Sequence, residues 1–191
     1  MQPRMSATEQ ALFASLLRCS DAYFEFGCGG STYLAVQSVR HSVVSVESDP
    51  AWIAQVEAAC AALPAPRATL ETIRVDIGPT GAWGRPVGTA HRRRWPDYHR
   101  QPIRHPAAHS ADLYLVDGRF RVACFLQVLL HAPPQALVML HDYASRPHYH
   151  AIEAVAREVA RAEDLSVFQP RRGVTRRSLR GLLARYRLEP E

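Results

Sequence analysis

Tyr23-Phe24-Glu25-Phe26-Gly27-Cys28-Gly29-Gly30-Ser31-Thr32-Tyr33-Leu34 is the stretch whose reading decides the fold. Up to Gly27 aromatic and acidic residues alternate, as in a short strand entering a sheet; from Ser31 a helical pattern begins, with Leu34 and Val36 as its apolar positions. Between them lies a tight glycine turn. Gly27, Gly29 and Gly30 can take positive φ and let the backbone approach a ligand, and the free N–H groups at the helix start, aided by Ser31 or Thr32, suit an anionic group. A strand, a glycine loop and a helix N-terminus in this order form the nucleotide-facing end of an α/β sheet. The bare alternative is a doubly wound domain whose glycines only make the turn.

As a dinucleotide fingerprint the loop fails at one place, because Thr32 stands where G-x-G-x-x-G needs its third glycine, and this weakens an NAD reading. The stretch resembles instead the first motif of class I S-adenosylmethionine-dependent methyltransferases, acidic-x-Gly-x-Gly, met by Glu25, Gly27 and Gly29. The second part of that pattern is an acid ending the next strand. Val43-Val44-Ser45-Val46-Glu47 supplies it twenty residues after Gly27, and a carboxylate there accepts both hydroxyls of a ribose. The resemblance implies S-adenosyl-L-methionine as cofactor, with Glu25, Gly27, Cys28, Gly29, Ser31 and Thr32 around its amino-acid end. Glu47 and Ser48 would lie at its ribose, Asp76 and Ile77 at its adenine, and Asp117 beside them. Asp76 is equally readable as a turn residue bonding its own backbone.

In chain order, Ser6-Ala7-Thr8-Glu9 is a capping-box pattern opening a helix with Leu12, Leu16 and Leu17, expected against the sheet's edge. Asp49-Pro50 opens the helix after Glu47, with Trp52, Ile53 and Val56 as its inner side, and a third strand is read from Ala68 to Val75. Asp112 to Gly118 reads as the fourth strand, a helix over Val122, Phe125, Leu126 and Leu129 follows, and Ala136 to Leu140 is the fifth strand, apolar as a strand covered on both faces should be. A helix from about His148 to Ala162 is expected to turn Ile152, Val155, Ala156 and Val159 inward. A short sixth strand is placed at Leu165 to Phe168, and an amphipathic helix at 175–188 with an arginine face. Strands alternating with helices imply an α/β fold: a doubly wound, mainly parallel sheet of six to seven strands with helices on both faces, Rossmann-like, in a single domain spanning 1–191.

Periodicity vanishes over 79–111, where Pro, Gly, His, Trp and Arg accumulate. A connection of this length without structure is a lid or binding loop, or else a solvated basic loop. Arginine binds carboxylate or phosphate bidentately and aromatic rings stack on planar groups, so Trp83, Arg85 and Tyr98, with Arg119 beyond the insert, are the candidate substrate-binding residues.

Asp117 after the fourth strand and His141-Asp142 after the fifth resemble the paired positions that hold magnesium in catechol- and macrolide-type O-methyltransferases. That resemblance implies Mg²⁺ at Asp117 and Asp142, lowering the pKa of a substrate hydroxyl. Where those families add a further Asp or Asn, this chain has Tyr143. Without a metal, His141 is the candidate general base, its ordinary pKa lying near neutral; Asp117, His141 and Asp142 are thus the candidate catalytic group. An Asn-Pro-Pro-Tyr type signature, which would mark methylation of a base amino group, is not present after the fourth strand.

Composition bounds the rest. A chain of 191 residues, 47% hydrophobic, buries roughly 70% of its unfolded surface without staples. Cys19, Cys28, Cys60 and Cys124 form no C-x-x-C pair, which argues against zinc and a disulfide framework and for a reducing, cytoplasmic setting. No apolar run reaches the ~20 residues of a membrane span. All 23 basic residues are arginine and the net charge is +5, suited to an acidic substrate or to nucleic acid. The expectation is O-methylation of a small or acidic molecule. Nucleic acid is disfavoured as partner, a membrane is not expected, and a homodimer is left open. A non-catalytic adenosyl-binding protein and an RNA methyltransferase stand as alternatives.

Overall fold

A computed structural model describes all residues, 1–191. One sheet of seven strands runs in the order β3-β2-β1-β4-β5-β7-β6. Its strands are β1 (Ala22–Phe26), β2 (Ser42–Glu47), β3 (Thr69–Arg74), β4 (Leu113–Val116), β5 (Leu137–Leu140), β6 (Ala156–Ala162) and β7 (Leu165–Pro170). The first five pair in parallel, and β7 enters antiparallel between β5 and β6. Parallel strands covered on both faces must be apolar throughout, which is why β4 is wholly buried and β2 buries Val43, Val44 and Val46.

Helices α1 (Ala7–Cys19), α2 (Gly30–Ser38) and α3 (Pro50–Ala61) supply one core, and α5 (Arg121–His131) and α6 (Arg176–Tyr186) the other. Glu9 closes the capping box of α1 by accepting the Ser6 N–H, and its second oxygen accepts the Asp164 N–H 3.0 Å away, tying the helix start to the β6–β7 turn. Phe13 and Leu17 of α1 belong to one cluster with Tyr23, Leu115 and Met139, and the helix also meets the edge strand β6, so it crosses the sheet face toward that edge. No helix is long and apolar enough to cross a membrane.

The expected helix over 148–162 is not there. Residues Pro147–Ala154 form a 3₁₀ helix, and Ala156–Ala162 is strand β6, hairpinned to β7 through Glu163 and Asp164 with a bulge at Glu158/Ala160. Ile152 and Val155 are buried by the 3₁₀ segment, whereas Val159 faces out from an edge strand. Residues 79–111 consist of short helical turns, among them α4 (Asp97–Arg100), with 3₁₀ turns opened by Pro102 and Pro106. Trp95, Tyr98, Ile103 and Ala108 from this basic stretch are buried in the larger core, on the face shared with α5.

Candidate functional site

The carboxyl ends of β1, β2 and β4 meet at the glycine turn. Gly27 has φ +97°, and a methyl group on it would lie 2.6 Å from the Gly118 nitrogen and 2.7 Å from its Cα, so the strand ends abut backbone to backbone. Beneath the turn Glu25 is fully buried. It accepts from the Tyr23 and Ser45 hydroxyls, each at 2.8 Å, and from Thr32, whose hydroxyl in turn accepts the Gly29 N–H at 2.8 Å. Glu25 and Thr32 therefore do not face a ligand: they brace the turn from below, and Thr32 takes up an N–H that was a candidate for anion binding. Ser31 is likewise buried. The Cys28 carbonyl accepts from the Trp52 indole at 2.7 Å, fixing that ring at the rim of the turn, where sequence spacing gave Trp52 only a core role.

Burial pushes the Glu25 pKa up to about 7 against the lowering effect of its Thr32, Ser45 and Tyr23 hydrogen bonds. Because the folded value exceeds the unfolded one, the associated stability is present below about pH 4.5 and is lost as pH rises through about 7. Glu25→Gln keeps the shape without the charge. It is expected to gain about 3 kcal/mol over the parent chain at pH 8 and little at pH 4.5, read by urea unfolding at the two pH values.

At the end of β2, Glu47 accepts on Oε1 from the Ser48 N–H at 2.5 Å, the Ser48 hydroxyl at 3.0 Å and the Asp49 N–H at 3.2 Å. All three bonds fall on one oxygen, and the other makes no hydrogen bond within the chain. Asp76 is exposed and spends both oxygens locally, accepting the Gly78 N–H at 2.9 Å and pairing with Arg94 at 2.9 Å. The Gly78 hydrogen bond and the Arg94 charge hold its carboxyl below the usual range, which is the turn reading of this residue; neighbouring Ile77 is buried.

Asp117, His141 and Asp142 come together with their ligand atoms within 4.8 Å of one another. The cation between the two carboxylates, however, is Arg121. Its guanidinium, 4% exposed, lies 3.1 Å from Asp117 and 2.9 Å from Asp142 and donates to the His141 carbonyl at 2.6 Å; Arg146 adds a second cation 2.7 Å from Asp142. With both carboxylates already compensated, the donor set does not fit Mg²⁺, and the magnesium expectation is corrected. His141 Nδ1 lies 3.0 Å from Asp117, and its other ring nitrogen 3.7 Å from Glu9. Burial would depress the imidazole pKa, but the Asp117 hydrogen bond and the Asp117 and Asp142 charges outweigh it and raise the value. For Asp117 burial acts upward, and Arg121 and His141 outweigh it to hold the carboxyl low. The raised value favours the charged imidazolium beside Asp117.

Other parts of the chain lie over this crevice. A side chain on Gly30 would collide with Gln2 and Pro3. The Arg4 guanidinium stacks 4.5 Å from the centre of the Trp83 ring, and Trp83, 68% exposed, holds the left-handed φ of +61°. Arg85 pairs with Glu191 at 2.6 Å, and the Pro190 and Glu191 carbonyls accept the Phe120 and Arg121 N–H groups at the start of α5. Tyr98 is 1% exposed, and its hydroxyl would collide with any side chain on Gly118. Of the four candidate substrate residues, Trp83 and Arg85 are on this cover, Tyr98 is beneath it, and Arg119 is buried beside it. Gln2, Pro3, Arg4, Arg121 and Glu191 carried no sequence signal for the site beyond the Asp117–Arg121 spacing.

No protein-family model matches the chain, and neither does any curated protein. Among solved structures, a methyltransferase-like protein from Silicibacter pomeroyi is 33% identical, with a TM-score of 0.87 over 99% of this chain and 98% of that one. The fibrillarin pre-rRNA processing protein of Methanococcus jannaschii, 13% identical, has a TM-score of 0.56 over 85% of this chain and 74% of that one. Human methyltransferase-like protein 13, solved in complex with SAH and also 13% identical, scores 0.50 over 98% and 95%. These last two share the fold. With a third of its residues in common with the Silicibacter protein from end to end, on a sheet that ends in an antiparallel hairpin, the chain belongs to the class I S-adenosylmethionine-dependent methyltransferase superfamily.

Proposed function

We propose that the protein transfers a methyl group from S-adenosylmethionine to a small or acidic acceptor, with oxygen as the receiving atom. The observation that supports this best is the convergence of the Gly27 turn, the open oxygen of Glu47 and Asp117 on the carboxyl ends of three adjacent parallel strands. When bound, S-adenosylmethionine supplies a methyl group activated by its sulfonium. The chain supplies position: Gly27 lets the backbone lie flat against the amino-acid end, Glu47 accepts from the ribose, and Trp52 with the cover excludes water.

Asp117 follows β4 and abuts the Gly27 turn. Held ionised by Arg121 and His141, it is a weak base, which suits an acceptor whose oxygen is already ionised at neutral pH, such as a carboxylate. This supports the acidic-acceptor reading. The Arg85–Glu191 pair and the Arg4–Trp83 stack over the crevice favour a small molecule over a nucleic-acid strand.

Glu47→Ala is expected to weaken binding of S-adenosylhomocysteine about 10- to 100-fold by calorimetry, the loss of hydrogen bonds to a charged acceptor. Unchanged affinity would remove the ribose role. The packing of Gln2 and Pro3 on Gly30 also favours a second reading, a protein that binds an adenosyl compound without catalysis, and binding with no transfer to any acceptor would select it.

A further inference from the structure

Arg119 is 6% exposed, its guanidinium makes no hydrogen bond or ion pair, and its Nε is buried without a partner. The charged groups around it are already engaged. Arg121 is spent on Asp117 and Asp142, Arg146 on Asp142 and the Tyr149 hydroxyl, and Arg85 on Glu191, while Glu47 accepts backbone N–H groups. One guanidinium is left over. Burial and the Arg121 charge depress its pKa, yet an arginine remains charged at any physiological pH. The Glu191 carboxylate acts on it only from a distance, and a buried guanidinium with no hydrogen-bonded partner is costly, which makes it a candidate anion site.

Its position is informative. A methyl group on Gly84 would lie 3.8 Å from Arg119 Cγ and 3.7 Å from Glu47 Oε1 and Ser48 Oγ. The arginine stem therefore borders the gap between the covering turn and the end of β2. Asp117, whose carboxyl Arg119 helps to hold low, and Glu47 across the gap disfavour a dianion, so a single unpaired guanidinium matches a monoanion, and the planar fork matches a carboxylate.

We propose that Arg119 binds a carboxylate carried by the methyl acceptor, which makes the substrate class a small carboxylic acid. This inference rests on the methyltransferase reading above. The test titrates benzoate and its neutral counterpart benzamide into protein saturated with S-adenosylhomocysteine, followed by ligand-observed NMR, for the parent chain, Arg119→Gln and Arg119→Lys. Benzoate should bind and benzamide should not. Arg119→Gln should weaken benzoate about tenfold or more, and Arg119→Lys should restore part of it. The affinity for S-adenosylhomocysteine should change less than about threefold in both variants. Without ligand, Arg119→Gln should melt at the same temperature as the parent or a few degrees higher, because a lone buried charge is gone. A structural arginine would instead leave the variant clearly less stable, and that result overturns the proposal. Equal binding of acid and amide, or unchanged benzoate affinity in Arg119→Gln, overturns it too. A tenfold loss of S-adenosylhomocysteine affinity would assign the carboxylate to the cofactor and likewise overturn it. If the parent chain binds no S-adenosylhomocysteine at all, the enzymatic reading fails by itself; benzoate binding dependent on Arg119 in the free protein would then keep the carboxylate site.

Discussion

Arg121→Met is expected to cost about 3–5 kcal/mol of folding free energy, a drop of about 10 °C in melting temperature for a chain of this size. The side chain is 4% exposed and holds Asp117, Asp142 and the carbonyls of Gly118 and His141 at once. Its removal leaves two half-buried carboxylates with His141, Arg146 and the more distant Arg119 against them. The sign of the pH dependence follows from Asp117. Its folded pKa is depressed, so its contribution to stability is present above the unfolded value and is lost as pH falls through the folded one. The deficit of the variant should therefore be full at pH 7 and shrink below about pH 4, where the carboxylates are neutral in any case. Arg121→Lys should recover little, since a point charge cannot bridge two carboxylates and two carbonyls as a planar fork does. Urea unfolding at pH 4 and pH 7 measures both. A loss of the same size at both pH values would mean that Arg121 acts by packing and not by charge.

Gly27→Ala is expected to be at least as severe for binding. The positive φ alone costs a non-glycine residue about 1–3 kcal/mol. The new methyl would also press on the backbone of Gly118, which cannot rotate away as a side chain can, so the ends of β1 and β4 must separate. Affinity for S-adenosylhomocysteine should fall about 100-fold or more, with a smaller loss for Gly29→Ala, where the nearest neighbour of the added methyl is the Trp52 ring at 3.7 Å. Calorimetry on the two variants side by side separates the role of the turn from that of glycine in general.

The half of the molecule that was legible in the sequence is the half governed by local rules. A glycine turn between a strand and a helix, an acid ending the next strand, and apolar parallel strands each announce themselves over a few residues, and β1, β2, β4 and β5 lie where those signals put them. Strand β6 was misread because Ile152, Val155, Ala156 and Val159 happen to fall at helical spacing, while its hairpin turns on Glu163-Asp164 and not on the Asn-Gly or Asp-Gly pairs that advertise such turns. Trp95, Tyr98 and Ile103 were hidden by the arginines and prolines among which they stand. The site was harder still. The motif names Glu25 by its place before the glycines, but only its partners Tyr23, Thr32 and Ser45 show that its carboxylate lies beneath the turn. The guanidinium of Arg121 occupies the space where two aspartates invite a metal, and no spacing rule tells a bridging arginine from a bystander.

Gln2 and Pro3 rest on Gly30, Arg4 rides on Trp83, and Arg85 reaches Glu191, so three remote lengths of chain fasten one doorway. On the methyltransferase reading proposed above, donor and by-product pass this cover in turn, and each passage breaks the Arg4–Trp83 and Arg85–Glu191 contacts. The expected result in rapid-quench kinetics is a burst of one product per molecule followed by a slower steady rate.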